Sequence, residues 1–185
     1  MNRKARRETM RRRTAVVGSA VFFLLAPGVV VGLIPWFLTG GWQARAPAPY
    51  WVSMRVLGGL LLVAGLIALV WAFVRFVVEG FGTPAPVAAP ERLVVGGVYR
   101  YVRNPMYVAV LVAIVGQALL LGQLVLLLYA GAAWLAIAGF VRFYEEPTLT
   151  RRFGAEYDAY RRAVPAWWPR LRPWNPGERD ETGTS

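Results

Sequence analysis

Three stretches of this chain run far without a charged side chain: Val16 to Leu38, Val56 to Val74 and Pro105 to Val141. Wound as helices, the first two are each about long enough to cross a hydrocarbon layer roughly 30 Å thick. The third would extend about 55 Å, nearly twice that thickness, and must therefore fold back. Near its middle, Leu121-Gly122-Gln123 supplies a glycine and a polar side chain, which suit a tight turn between two helices. With 57% hydrophobic and only 17% charged residues among 185, the chain is too apolar for an ordinary soluble domain. The expected fold is all-α: an integral membrane bundle of about four transmembrane helices, with a helical hairpin and a cytoplasmic C-terminal cap. Its spans are expected at about 16–38, 56–78, 105–121 and 124–143, within a membrane domain covering 14–174.

A basic segment, 1–13, precedes this domain, and the polar end 175–185 reads as a disordered tail. A basic start followed by an apolar run also has the plan of a signal peptide. Here the run exceeds the usual apolar core, and Pro27, Gly28 and Pro35 read as a kinked span instead.

Seven of the 21 basic residues lie in 1–13, so the positive-inside rule keeps this end, and with four spans the C-terminal end, on the cytoplasmic side of a cell (inner) membrane. The loop after the first span carries only Arg45 and belongs outside, whereas Arg92, Arg100, Arg103, Arg151, Arg152, Arg161, Arg162, Arg170 and Arg172 return to the cytoplasm. The net charge of +11 collects at membrane boundaries without a nucleic-acid motif, which points to anionic lipid headgroups rather than nucleic acid. Trp36, Trp42, Tyr50 and Trp51 fit an outer aromatic belt, and Trp167, Trp168 and Trp174 an inner anchor for the tail. Gly58, Gly59 and Gly65 in the second span, with Ala132 and Ala136 in the fourth, are small enough to let helices approach closely.

The chain has no cysteine and no histidine. Disulfides, thiolate nucleophiles, Ser-His-Asp triads and the usual zinc sites are thereby excluded, and no metal is expected. Chemistry must come from carboxylates, guanidinium groups, hydroxyls and amides.

Two segments gather those groups. In GGVYRYVRNPMY, Gly96 to Tyr107, Asn104 has the character of an N-cap and Pro105 that of a first helical residue, opening the third span. Whether the preceding residues are extended or helical, Tyr99 and Arg103 are expected to point the same way. A guanidinium beside tyrosines at a helix start suits a small carboxylate or phosphate. After the fourth span, Glu145 and Glu146 stand side by side at the membrane exit, with Arg142 one turn earlier as a surface ion-pair partner. Because the hairpin returns the chain, Arg103 and the two acids are expected to converge, forming a site for a ligand with a zwitterionic amino-acid end.

GVYRYVRNPMY, followed after the uncharged hairpin by EEPTLTRRFGAEYDAYRRAVPAWWPR, resembles the isoprenylcysteine carboxyl methyltransferase family and the related membrane phospholipid methyltransferases, over roughly Gly80 to Arg170. The resemblance implies a helical membrane fold holding S-adenosylmethionine in a pocket open to the cytosol under C-terminal segments, with the lipidic substrate entering from the bilayer. It implies that Tyr99, Arg103, Pro105 and Tyr107 line the cofactor pocket, with Asn104 where that family usually has histidine. Glu145 and Glu146 would correspond to the paired acids, and Phe153, Gly154, Tyr157 and Tyr160 to the closing segment. Asparagine keeps a hydrogen bond there but cannot carry a titratable proton.

S-adenosylmethionine also suits the residues themselves. Its carboxylate would pair with Arg103 or Arg100, its ammonium or ribose hydroxyls with Glu145 or Glu146, and its sulfonium with tyrosine faces. A carboxylate acceptor, ionised at neutral pH, needs only a cation such as Arg170 or Arg100 to orient it. An amine acceptor needs a base, for which Glu146 is the candidate. The reading favours carboxyl O-methylation of an isoprenoid or other lipid-like acceptor. The alternatives are a phospholipid N-methyltransferase, a nicotinamide-dependent membrane lipid reductase, and a non-catalytic scaffold that grips anionic lipid through Arg100 and Arg103.

Overall fold

The computed structural model describes residues 25–45, 51–80 and 92–175, and among them there is no β-strand. The expected 1–13 segment, the start of the first span and all but the first residue of the expected tail lie outside the described residues.

The first helix, α1, runs Leu25–Leu38 and contains a π-helical stretch, Gly28–Leu33. Pro35 explains part of this irregularity, because it has no N–H for the Val31 carbonyl one turn back. Ile34 in turn donates to Val29, five residues back, in place of Val30. Side chains from elsewhere take up the two bypassed carbonyls. Gln117 Nε2 donates to Val31 O at 2.8 Å, and the Tyr129 hydroxyl to Val30 O at 3.0 Å. The cost of a broken helical ladder inside an apolar bundle is thus offset by two interhelical hydrogen bonds.

Helix α2, Val52–Gly80, begins four residues before the expected 56, because the helix continues through Arg55 to its polar end. Helix α3, Pro105–Leu121, has the expected bounds, starting at the proline and stopping where Gly122 takes a left-handed φ of 65°. Helix α4 starts at Leu124 after this short turn and runs to Phe153. Two helices, Val52–Phe76 and Leu124–Phe153, are long and apolar enough to cross a membrane, while Leu25–Leu38 and Pro105–Leu121 are shorter apolar helices.

Helices α2 and α3 are antiparallel and pack closely along a seam of small residues. A Cβ on Gly58 would fall on the backbone of Leu120 and Gly116, and one on Gly65 on that of Ala109 and Ala113. This backbone approach brings Leu69, Ala109, Val110, Ala113, Ile114 and Leu126 into a single core. The small residues elsewhere correct the sequence expectation: Gly59 faces open space, and Ala132 and Ala136 of α4 are exposed. Packing is tightest between α2 and α3, and α4 turns Ala132 and Ala136 outward while Ala130 enters the core.

The expected fourth span, 124–143, ends where α4 changes register. Val141–Glu145 is a π turn, with Glu146 donating its N–H to Val141 O five residues back. Pro147 follows, and it can neither donate to the Phe143 carbonyl nor pack against it without crowding. One residue more per turn moves the following side chains about 100° around the axis. The turn therefore decides where Glu145 and Glu146 point.

Helix α5, Ala155–Ala163, folds back after Gly154. Beyond it, a strap from Val164 to Trp174 runs beside residues 100–104, fastened largely by backbone bonds. Arg103 N–H donates to Pro165 O at 2.9 Å, Arg170 N–H to Tyr101 O at 2.9 Å, and Trp174 N–H to Arg100 O at 2.9 Å.

Candidate functional site

The site forms where α3 begins, α4 leaves its apolar part, and α5 folds across both. Pro105 presets the backbone angle for the first turn of α3 and so fixes where Arg103 departs. The guanidinium of Arg103 reaches three segments. Its Nη1 donates to Glu146 Oε1 at 2.7 Å and to the Tyr157 hydroxyl at 3.0 Å, while its Nε donates to Val164 O at 2.9 Å. The two side chains of this ion pair are only 11% and 9% exposed, so their charges depend on these added hydrogen bonds for compensation.

Glu146 is surrounded by cations. Its second oxygen lies 3.8 Å from Arg142 and 3.9 Å from Arg161. Glu145 takes a different partner, accepting from the Tyr107 hydroxyl at 3.1 Å. In the cap, burial pushes the Tyr157 hydroxyl above the ordinary tyrosine range, although Arg103 pulls it down. Burial likewise pushes Tyr160 upward. Both phenols remain protonated at neutral pH, and Tyr160 uses its proton to bond Tyr99 O at 2.7 Å.

Arg103, Asn104, Pro105, Tyr107, Glu145 and Glu146 thus come together, as the hairpin argument required for Arg103 and the acids. Three other candidate residues lie elsewhere. Tyr99 turns away from Arg103, contrary to the spacing argument, because Gly97–Arg100 forms a single 3-10 turn that aims its ring at α2, where the hydroxyl meets Ala72 O at 3.4 Å. Arg100 Nε donates to Trp174 O at 2.7 Å, and Arg170 Nη1 to Ala163 O at 2.8 Å. Both of these arginines hold the strap.

Asn104 requires a second correction. It occupies the N-cap position of α3 yet makes no side-chain capping bond, and its Nδ2 is buried without a hydrogen-bond partner. Its backbone N–H instead donates to Ala166 O at 3.3 Å. An unpaired buried amide is costly, and a ligand that accepts from it would remove that cost.

Arg161, which the sequence motifs leave among the other cytoplasmic arginines, also joins the site. Its signal is spacing: it follows Tyr157 by four residues on α5, so both face the same way. The Val164 carbonyl, a main-chain group, leaves no trace in the sequence. Together the cluster offers carboxylate acceptors at Glu145 and Glu146, and donors at Asn104 Nδ2 and at Arg103 Nη2, which makes no hydrogen bond among the described residues. Donors and acceptors side by side suit a ligand bearing both charges.

A family profile described as phospholipid methyltransferase matches residues 53–156, from the start of α2 into α5. The chain is also 37% identical over 78 residues to a Protein-S-isoprenylcysteine O-methyltransferase of Schizosaccharomyces pombe. That match covers 42% of this chain and 33% of the relative, so the similarity spans a third of the relative's length.

Proposed function

The chain belongs to the phospholipid methyltransferase family, and from that membership we propose that it is a membrane enzyme moving a methyl group from S-adenosylmethionine to a lipid-like acceptor. The observation that carries this reading is the meeting of Arg103, Asn104, Glu145 and Glu146 at one end of an apolar bundle. The unpaired Asn104 amide and the remaining Arg103 donor fit a carboxylate. Glu145 and Glu146 fit an ammonium or ribose hydroxyls, and the half-buried Tyr107 offers a ring face to a sulfonium. When bound, this cofactor supplies a methyl group already activated on sulfur. The protein's task is then to align the acceptor and exclude water, with α5 and the strap as the cover.

In this reading the two shorter apolar helices are also spans, giving about four, with both termini on the cytosolic side of the cell membrane. Carboxyl O-methylation is favoured. A carboxylate is already ionised at neutral pH and needs no base from a chain lacking histidine and cysteine. Its oxygen forms the new bond to the methyl carbon as the carbon–sulfur bond breaks and that electron pair stays on sulfur, so no proton moves. The relative's name supports this choice. The family description supports a second reading, methylation of a phospholipid amine. There a proton must leave, and Glu145, bonded by one tyrosine hydroxyl, is freer to take it than Glu146, which is held by Arg103.

Incubating the protein with labelled S-adenosylmethionine and membrane extract tests both. A base-labile methyl ester is the expected product, whereas alkali-stable methylamine would move the assignment to the amine. Calorimetry in detergent decides against a scaffold or a reductase. Saturable S-adenosylmethionine binding that Glu145→Ala weakens is expected, while no binding by folded protein, or binding of reduced nicotinamide dinucleotide instead, would overturn the methyltransferase reading.

A further inference from the structure

The cations around Glu146 outnumber what one carboxylate needs. Arg103 already satisfies Oε1 at 2.7 Å from a buried position. Arg142 and Arg161 approach Oε2 only to 3.8 and 3.9 Å, too far for a hydrogen bond, and their side chains are 67% and 42% exposed. Neither donates a hydrogen bond to any described residue. Exposed pairs of this length add little to stability, and two guanidinium groups drawn to the same oxygen repel each other. Counting Glu145 as well, three arginines face two carboxylates, leaving one positive charge in excess.

The two arginines come from different elements: Arg142 ends the uncharged part of α4, and Arg161 lies on α5 above it. Beside Arg142, Phe143 is 83% exposed on the outer surface of the helix. Two exposed cations brought together from different elements, with an exposed aromatic ring beside one of them, match a molecule that has an oxyanion at the end of a hydrocarbon chain.

We propose that Arg142 and Arg161 form the clamp that recognises the carboxylate of the lipid-like methyl acceptor. The inference rests on the methyltransferase reading and assigns the acceptor-orienting role to these two residues, since Arg100 is bonded to a main-chain carbonyl of the strap and Arg170 to the last carbonyl of α5. It has a consequence for turnover. Methylation turns the carboxylate into an uncharged ester, which the clamp no longer attracts, so substrate is held and product released by the same two side chains.

Calorimetry in neutral detergent, without cofactor, reads this directly. The probes are farnesylthioacetate and its methyl ester, identical in chain and different only in charge. Wild-type protein is expected to bind the acid roughly tenfold or more tightly than the ester, the scale of a charge-assisted hydrogen bond. Arg142→Gln and Arg161→Gln should each reduce that preference several-fold while leaving S-adenosylmethionine affinity unchanged. Arg142→Lys should restore part of it. Arg162→Gln, which removes an exposed cation of α5 that makes no ion pair with Glu146, should change nothing. Equal binding of acid and ester by wild type, unaltered preference in both glutamine variants, or an equal loss in Arg162→Gln would overturn the clamp. Weakened S-adenosylmethionine binding in the two variants would also overturn it, assigning these arginines to the cofactor. Because the acid-to-ester ratio is measured without cofactor, failure of the clamp stays distinct from failure of wild type to bind S-adenosylmethionine, which would count against the methyltransferase reading.

Discussion

At Asn104, capping and ligand binding make opposite forecasts. A working asparagine cap lost to alanine destabilises a protein by about 1 kcal/mol. Here the side chain makes no capping bond and its amide is buried unpaired. Asn104→Ala is therefore expected to leave the thermal midpoint in detergent unchanged or slightly higher, while S-adenosylmethionine affinity falls about tenfold, the scale of one lost hydrogen bond to a charged group. Unfolding scans and calorimetry on the same sample check both halves. Glu146 is the converse case. Removing one partner of a buried ion pair strands the other, so Glu146→Ala should lower stability by about 3 kcal/mol. Arg103 keeps Tyr157 and Val164 as acceptors, which holds the loss at the low end of the range for such pairs. Denaturant titration measures it.

At the scale of helices, the glycines of α2 divide sharply. Gly58→Leu would push a side chain into the backbone of α3 and is expected to cost more than about 2 kcal/mol, or to prevent folding. Gly59→Ala, one residue along but facing open space, should cost nothing. Comparing yields of folded protein and unfolding midpoints for the two variants tests the seam. Sequence alone named both glycines, since composition reveals small residues but not which side of a helix is covered. The bounds of α3 were legible because proline and glycine act locally, one by fixing φ and the other by accepting a positive one. The π turn before Glu146 was not. Pro147 marks a disturbed ladder, but whether the chain breaks, kinks or widens there depends on what packs around it.

For the whole molecule, convergence of Arg103 with Glu146 was legible because a chain that must turn back brings both ends of the turn to one surface. The roles of Arg100 and Arg170 were not, because their partners are carbonyls, which every residue carries alike. These contacts make the strap a structural part of the site. Ending the chain after Ala163 removes the acceptors for Arg103 Nε and for the Arg103 and Asn104 N–H groups. Such a protein is expected to be less stable and to bind S-adenosylmethionine at least tenfold more weakly, as measured by calorimetry.

The fastening of that strap has an implication for how variable it can be. Joints made of amide hydrogen and carbonyl oxygen are indifferent to what hangs from the chain between them, so positions such as Trp168 and Leu171, both projecting freely, can be rewritten without loosening the closure. A lineage could therefore retune which membrane or which greasy cargo this edge greets while its chemistry underneath stays untouched.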